Sequence, residues 1–509
     1  DALAEAASSK LQDFDVQDIA QTLWAFAKLG MKDVPLMASM AASSLRMIHE
    51  ATPRQLASIA WSCATLQFCD APCLESVAAC AIRTIYEWSP QQMANIAWSF
   101  AELRVSDAPL LSAIAAASLP KISEFGTQSI SNTSLAFAKL LVVDEPLMQA
   151  LSAEARAKCG EMESQNLANI SWAYATLGLD NGPLLAAISA ESMRRMAAFH
   201  RAGIAETFAF LSDLLALSWS LAFSGRLTPD VADPLRSGIV GLGQDLDRLV
   251  LEQLPLEEGG DCAEAVDARL PGAPFALVNL PGIMVVFKPE NWEVNRGDPE
   301  VHRSAVEWRL LSDWVAAALP RARYPLAHSS QFDFGFIHRL DVPSSGLVLC
   351  AKTFAGLALL RFQLDTHELC REYVVVCSDA MDPRRAEVSA RLTTDKRSMR
   401  TYVSPTGAPA RTFLKSQAHV WPQLDPDSLG TLVAIKIATG RHHQIRAHLT
   451  SLEHPPAGDG KYGQGGVMLR DRHLYSDMLW FERHFGRPAV ANFLESGPQR
   501  GREAGVQLE

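Results

Sequence analysis

The run His338-Arg339-Leu340-Asp341, inside "FIHRLDVPSSGLVLCAKT", sets a carboxylate between a guanidinium and a Ser-Ser-Gly turn, just ahead of an apolar strand. A carboxylate placed there can act as nucleophile, general base or general acid, provided other groups balance its charge and aim it. An isolated Arg-x-Asp is usually a solvated loop, so the reading depends on partners elsewhere. Two runs supply them: "REY", where Tyr373 opens a strand and offers an aromatic face, and "GRHHQIRAHL", where Arg446 follows a Gly-Arg turn. The second run also holds His443 and His448, but their i, i+5 spacing does not align two imidazoles on one helical face. No HExxH pattern is present either, so no metal site is assigned.

The elements that must position these groups are short. "GIMVVFKP", "SGLVLCAKT", "REYVVVCS" and "GTLVAIKIATG" are β-branched and bounded by turn residues, as strands are. "AVEWRLLSDWVAAAL" and "AGLALLRFQLD" read as helices between them. This part of the chain is therefore α+β, with a central mixed or antiparallel sheet, over 274–509. Ahead of it, 240–273 is rich in Gly, Pro and acids and reads as a linker.

Residues 1–239 follow a different period. Trp24, Trp61, Trp98, Leu135 and Trp172 recur every 37 residues, and Pro35, Pro72, Pro109, Pro146 and Pro183 keep the same register. Ala94, Ala97, Trp98 and Ala101 form one stripe of an amphipathic helix, with small residues that let helices approach closely. A second helix begins at each Pro, with Asp33, Asp70, Asp107 or Asp144 as its cap. Helical hairpins this short cannot bury their faces alone, so they stack as an α-solenoid, and the tryptophans are expected in its core. A degenerate unit around Trp219 closes the series.

With 48% hydrophobic and 20% charged residues, the 509-residue chain has a globular composition and room for more than one domain. The longest apolar runs stop at charges or Pro, so no membrane association is expected. Nine scattered cysteines without a CxxC pair signal neither a zinc knuckle nor a disulfide framework. The chain opens on Asp1 rather than Met and is read as a processed or truncated piece. Lys plus Arg against Asp plus Glu count 17 to 26 over 1–250, or −9, and 15 to 11 over 331–450, or +4. The second balance is the one that phosphate contacts favour.

The 37-residue period with "LANISWAYATLG"-type first helices resembles the heptatricopeptide and octotricopeptide repeats, which are associated with organellar RNA. That likeness implies a mitochondrial or plastid location, with cytoplasm or nucleus as alternatives. It also implies RNA binding by the repeats, while their acidic balance keeps a protein partner in play. Over about 274–490, "KP" (Lys288, Pro289), "HRLDVPSSGLVLCAKT", "REYVV", "GRHHQIRAHL" and "GDGKYG" resemble, in order, the motifs of the RluA-like pseudouridine synthases. The resemblance implies isomerisation of uridines in RNA (ribosomal, transfer or organellar) to pseudouridine, without cofactor or metal. Asp341 would be the catalytic aspartate, Tyr373 the ring against the target base, and Arg446 the guanidinium paired with the aspartate. Arg339, His338, His443, Gln444, Ile445 and Lys288 would contact the substrate. The alternative is a catalytically idle RNA-binding or ribosome-associated scaffold that keeps the synthase fold.

Overall fold

The structure, a computed structural model, describes residues 10–200, 202–253, 272–295, 309–395, 398–405, 407–420, 430–457 and 459–462. It divides into two units, Asp1–Leu242 and Gly243–Glu509.

In the first unit each repeat is a helical hairpin: α1 (Val16–Lys28) with α2 (Val34–Met47), α3 (Pro53–Thr65) with α4 (Ala71–Thr84), and α5 (Pro90–Glu102) with α6 (Ala108–Ser118). Then come α7 (Thr127–Lys139) with α8 (Glu145–Ala157) and α9 (Ser164–Leu177) with α10 (Gly182–Ala198), followed by α11 (Ile204–Phe223) and α12 (Pro229–Gln253). Asp33, Asp70, Asp107 and Asp144 cap the second helices, accepting backbone N–H groups three residues on at 3.0, 2.9, 2.9 and 2.9 Å. The first helices end on left-handed residues at the same interval, Gly30, Gln67, Arg104, Leu141 and Gly178. The next N–H then bonds back to the carbonyl of Phe26, Cys63, Phe100, Phe137 or Tyr174, which closes off the last turn.

First helices pack on first helices and second on second, in two layers. The layers close over the residue two positions after each tryptophan marker: Cys63, Phe100, Phe137 and Tyr174 are buried. Trp88, Phe125 and Met162, also 37 apart, are buried in the same way. The tryptophan markers themselves do not fill this core. Trp24 is 47% exposed, and Trp61, Trp98, Leu135 and Trp172 are half-buried. The buried face of a first helix mixes small and large residues, as Met93, Ala94, Ile96, Ala97, Phe100 and Ala101 do on α5, and the marker indole falls at its edge. The indoles are left on the rim, where Lys28 stands over Trp24 and Trp61, 5.7 and 5.2 Å from their ring centres. Among the described residues α11 is long and apolar enough to cross a membrane by length and composition. It packs on α9 and buries Phe210, Leu211, Leu214, Leu217 and Leu221, as a repeat helix does.

α12 corrects the expected linker: residues 240–253 are helical, and Ile239, Leu242 and Leu246 form a buried stripe at helical spacing that the glycines and acids around them mask. The rest of that segment up to 271 lies outside the described residues.

The second unit is built on two antiparallel sheets. β1 (Phe275–Asn279), β2 (Ile283–Lys288) and β5 (Gly346–Ala351) make one, in the order β1-β2-β5. β6 (Arg371–Ser378), β11 (Gly430–Ile437), β10 (Arg411–Val420) and β7 (Glu387–Ser389) make the other, in that order. β3 (Trp292–Glu293) and β4 (Arg309–Leu310) form the parallel pair, and β8 (Leu392–Asp395) with β9 (Arg400–Val403) a ribbon. α13 (Leu311–Ala318) packs on the first sheet through Leu311 and Val315, against Met284, Val286, Val348 and Cys350. α15 (Gln444–Ser451) packs on the second through Leu449, against Val375, Val433 and Ile435; α14 (Phe354–Asp365) follows β5.

The rim position of the tryptophans has a direct test. Phe100→Ala removes a buried ring and should cost the first unit about 3 to 5 kcal/mol, whereas Trp98→Ala should cost roughly half of that or less because half-burial scales the loss. Denaturant unfolding of the full chain, followed by far-ultraviolet circular dichroism, measures both; equal losses would return Trp98 to the core.

Candidate active site

Asp341 sits in the turn between Phe336 and β5. Its carbonyl accepts the Ser344 N–H at 3.0 Å, closing a four-residue turn through Val342 and Pro343. The next carbonyl, of Val342, is held from two sides, by the Asn291 N–H at 2.9 Å and by Lys288 Nζ at 3.2 Å. Lys288 also donates to the Pro289 and Trp292 carbonyls (3.0 and 2.8 Å) and is fully buried. Three donors on three carbonyls leave this ammonium nothing for a substrate. Its expected role as a substrate contact is therefore corrected: Lys288 pins the turn that carries Asp341.

The Asp341 carboxylate projects toward α15. Arg446 Nη1 donates to its Oδ2 at 2.8 Å, and His443 Nε2 stands 3.8 Å from the same oxygen. The other edge of the Arg446 guanidinium is taken by Asp459, with Nε and Nη2 donating to Oδ2 and Oδ1 at 2.7 and 2.8 Å. The two carboxylates differ in access: the Asp459 side chain is 7% exposed and that of Asp341 37%. Burial alone would raise the Asp459 carboxyl, but Arg446 and the N–H groups of Lys461 and Tyr462 outweigh it and hold it below the usual carboxylate range. Asp459 is thus a permanent anion whose partner is Arg446, while Asp341 keeps one face open. Motif reading gave no role to Asp459, although it lies inside "GDGKYG".

Tyr462, from the same run, was missed as well. Its buried ring packs against the Arg446 guanidinium, 4.7 Å from centre to Cζ. Its hydroxyl accepts the Thr401 N–H at 2.7 Å and shares a proton with His443 Nδ1 at 3.0 Å. His442 stacks on His443 at 3.7 Å between ring centres. Burial lowers His443 to about 4, against the pull of Asp341, so its ring is neutral at pH 7. Tyr373, on β6 opposite Ile435, is packed against the second-sheet core. Burial pushes its phenol up; Arg371 opposes that and the nearby Asp341 carboxylate adds to it.

The remaining expected contacts divide by burial. Gln444 is buried, and its amide is spent inside the protein: the oxygen accepts from Thr439 and the Arg441 N–H, and the nitrogen donates to the Arg411 carbonyl and Thr412 (2.8, 3.1, 3.0 and 3.0 Å). Thr412 continues the relay to His448 Nδ1 at 2.9 Å, whose Nε2 bonds the Ala390 carbonyl at 3.1 Å. Gln444 therefore ties the start of α15 to β10 and has no free group for RNA, which corrects that expectation too. Ile445, like Tyr373, is partly buried and packs against the second-sheet core. His338 accepts the Leu349 N–H on Nε2 at 3.2 Å, so it faces the β5 backbone, and burial with Arg371 lowers it to about 4. Arg339 is exposed, its Nη2 3.7 Å from Glu293.

Residues 282–451 match the family model described as RNA pseudouridylate synthase, and residues 1–214 match that described as RNA-editing substrate-binding complex 6 protein. An "Uncharacterized RNA pseudouridine synthase YhcT" of Bacillus subtilis is 33% identical over 144 residues, 28% of this chain and 46% of that protein. A "Ribosomal large subunit pseudouridine synthase D" of Vibrio vulnificus is 29% identical over 209 residues, 41% of this chain and 58% of that protein. The enzyme of the same name from Vibrio cholerae is 29% identical over 294 residues, 55% and 82%. The chain thus spans about half the length of the first two of these relatives.

His338 and His443 both sit near 4 when folded, below the ordinary 6.5. Unfolding therefore takes up protons between about pH 4 and 6.5, so the stability they confer is full above 6.5 and is lost as pH falls through that window. Each should cost on the order of 1 to 2 kcal/mol by pH 5. Melting of the full chain at pH 7 and pH 5 measures the fall, and His338→Gln with His443→Gln should flatten it; an unchanged slope in that variant would place the protons elsewhere.

Proposed function

From the membership of residues 282–451 in the RNA pseudouridylate synthase family, we propose that the chain isomerises selected uridines in RNA to pseudouridine, with Asp341 as the catalytic carboxylate. The observation that carries this reading is the half-open Asp341 carboxylate, held at 2.8 Å by an Arg446 that is itself locked by Asp459, with Tyr373 alongside. The reaction breaks the C1′–N1 bond and remakes it as C1′–C5, while C5 gives up a proton and N1 takes one up, with no net change. A carboxylate can attack the ribose or base in the first part and accept a proton in the last.

A uridine in a stack is out of reach, so the base must leave it and lie against an aromatic face, the part assigned to Tyr373. Arg446 stays fixed through both steps, because moving it would strand Asp459 as a buried unpaired charge. Arg339, exposed on the same loop as Asp341, is placed to meet the RNA where the base departs. Neutral His443 and Tyr462 supply a hydrogen-bonded back wall at the carboxylate.

The first unit serves as the RNA-selecting arm. In support, its rim presents Gln17, Gln21, Trp24 and Lys28 on one stripe of α1, matched by Gln91, Asn95 and Trp98 on α5 and by Gln165, Asn169 and Trp172 on α9. These side chains are exposed or half-buried. Amides bond base edges and indoles stack on bases, and neither needs the positive charge that this unit lacks.

Asp341→Asn should leave folding and RNA affinity in place and abolish pseudouridine formation, since a carboxamide can neither attack nor take the proton. Pseudouridine mapping by chemical labelling of RNA treated with each protein gives the answer, and undiminished product would defeat the assignment. Trp98→Ala should weaken RNA binding by the full chain with the C5 chemistry retained.

A further inference from the structure

Among the described residues, the Arg371 guanidinium near Tyr373 has no hydrogen-bond or ion-pair partner. Arg371 opens β6, two residues before Tyr373, so both project from the same face of the strand. The guanidinium is half-buried, and among the described residues it makes no hydrogen bond and no ion pair. Its Nε is sealed from solvent with nothing to donate to. Burial accordingly works against its charge, and Asp365 and Tyr373 are near enough only to be felt. Arg446 is the opposite case, with every edge committed to a carboxylate.

Buried cations are normally paired, and an orphaned one at a substrate site points to a charge that arrives with the ligand. A Cβ on Gly440 would lie 2.5 Å from Arg371 Nη1, and Gly440 does not need to be glycine for a left-handed backbone. Glycine there lets the guanidinium itself lie against the backbone of the turn that leads into α15.

We infer that Arg371 is a phosphate-binding residue of the synthase site, its terminal nitrogens gripping the backbone phosphate next to the uridine that lies against Tyr373. This rests on the proposed uridine site. The planar fork of a guanidinium matches two phosphate oxygens, and no other side chain does so as well. The spacing fits: residues two apart on a strand are about 6.5 Å apart, comparable with the reach from a base to its own phosphate. A contact with the base itself is less suited, because uracil carries no charge to offset the buried cation. The role is substrate binding and not chemistry, so Arg371 sets affinity and the position of the flipped nucleotide.

The test is a cycle between protein and RNA charge. The probe is a synthetic RNA hairpin with a single loop uridine, natural or with one neutral methylphosphonate at each linkage next to that uridine in turn. Affinity for the full chain is read by fluorescence anisotropy, with pseudouridine formation followed in parallel. One neutral linkage should weaken binding to the wild type about tenfold or more, and Arg371→Met should lose a similar factor on natural RNA with no further loss from that linkage. Gly440→Ala, which displaces Nη1 while keeping the arginine, should reproduce the loss in part. Wild-type indifference to every neutral linkage, or equal sensitivity in wild type and Arg371→Met, overturns the inference. Affinity decides it even if no product forms, in which case only the catalytic reading falls.

Discussion

A single guanidinium shared by two carboxylates organises the second unit. Arg446 reaches Asp459 with two nitrogens and Asp341 with the third, so the site carries one buried anion, one buried cation and one anion that faces outward. Removing either outer member would leave a charge stranded in a desolvated place, which typically costs several kcal/mol. The surrounding structure can be understood as what is needed to bring those three groups together: Arg446 and Asp459 lie 13 residues apart on a helix and the loop after it, and Asp341 comes from a turn 105 residues before Arg446.

Each of the three is delivered by a different device. The turn that carries Asp341 is clamped at the Val342 carbonyl by Lys288 and Asn291, so its carboxylate is presented from a backbone with little freedom. The start of α15 is bolted to β10 through Gln444 and Thr412, which sets the azimuth of Arg446. The loop with Asp459 is held by Tyr462, whose hydroxyl binds the β9 backbone at Thr401. The polar groups around Asp341 are thus mostly consumed in positioning, and the groups that keep a face open among the described residues include Asp341 and the terminal nitrogens of Arg371. This is the division expected of a preorganised site, where rigid partners hold the reacting group and a small remainder meets the substrate.

How much of this could be read beforehand depended on what kind of signal each residue leaves. The 37-residue period and its Asp caps were visible because capping is local, decided within four residues of chain. Strands β2, β5, β6 and β11 were visible because buried strands are continuous apolar runs. Asp341 and Arg446 were legible by motif, and the structure brings them together. What failed was burial. Lys288 and Gln444 are polar residue types that sequence alone places at the surface, yet both are enclosed, with their hydrogen bonds spent on the backbone. Conversely, the marker indoles Trp24, Trp61, Trp98 and Trp172 are large apolar side chains that stand on the rim, while the interior is filled by Phe100 and its equivalents and by Trp88. Asp459 left no separate mark, because its importance comes from its contact with Arg446, 13 residues earlier and across the loop after α15, which motif spacing alone does not announce.

The central claim is that Asp459 acts on the reaction only through Arg446. The most direct measurement is the rate of pseudouridine formation in Arg446→Ala, Asp459→Asn and the double variant, all as full chains; the asparagine keeps its acceptor for the Lys461 and Tyr462 N–H groups, so the loop stays in place. If Arg446 is the route, the Asp459→Asn loss disappears once Arg446 is gone, and the double variant is no slower than Arg446→Ala alone. Losses that multiply in the double variant would show two independent contributions and contradict the shared-guanidinium account.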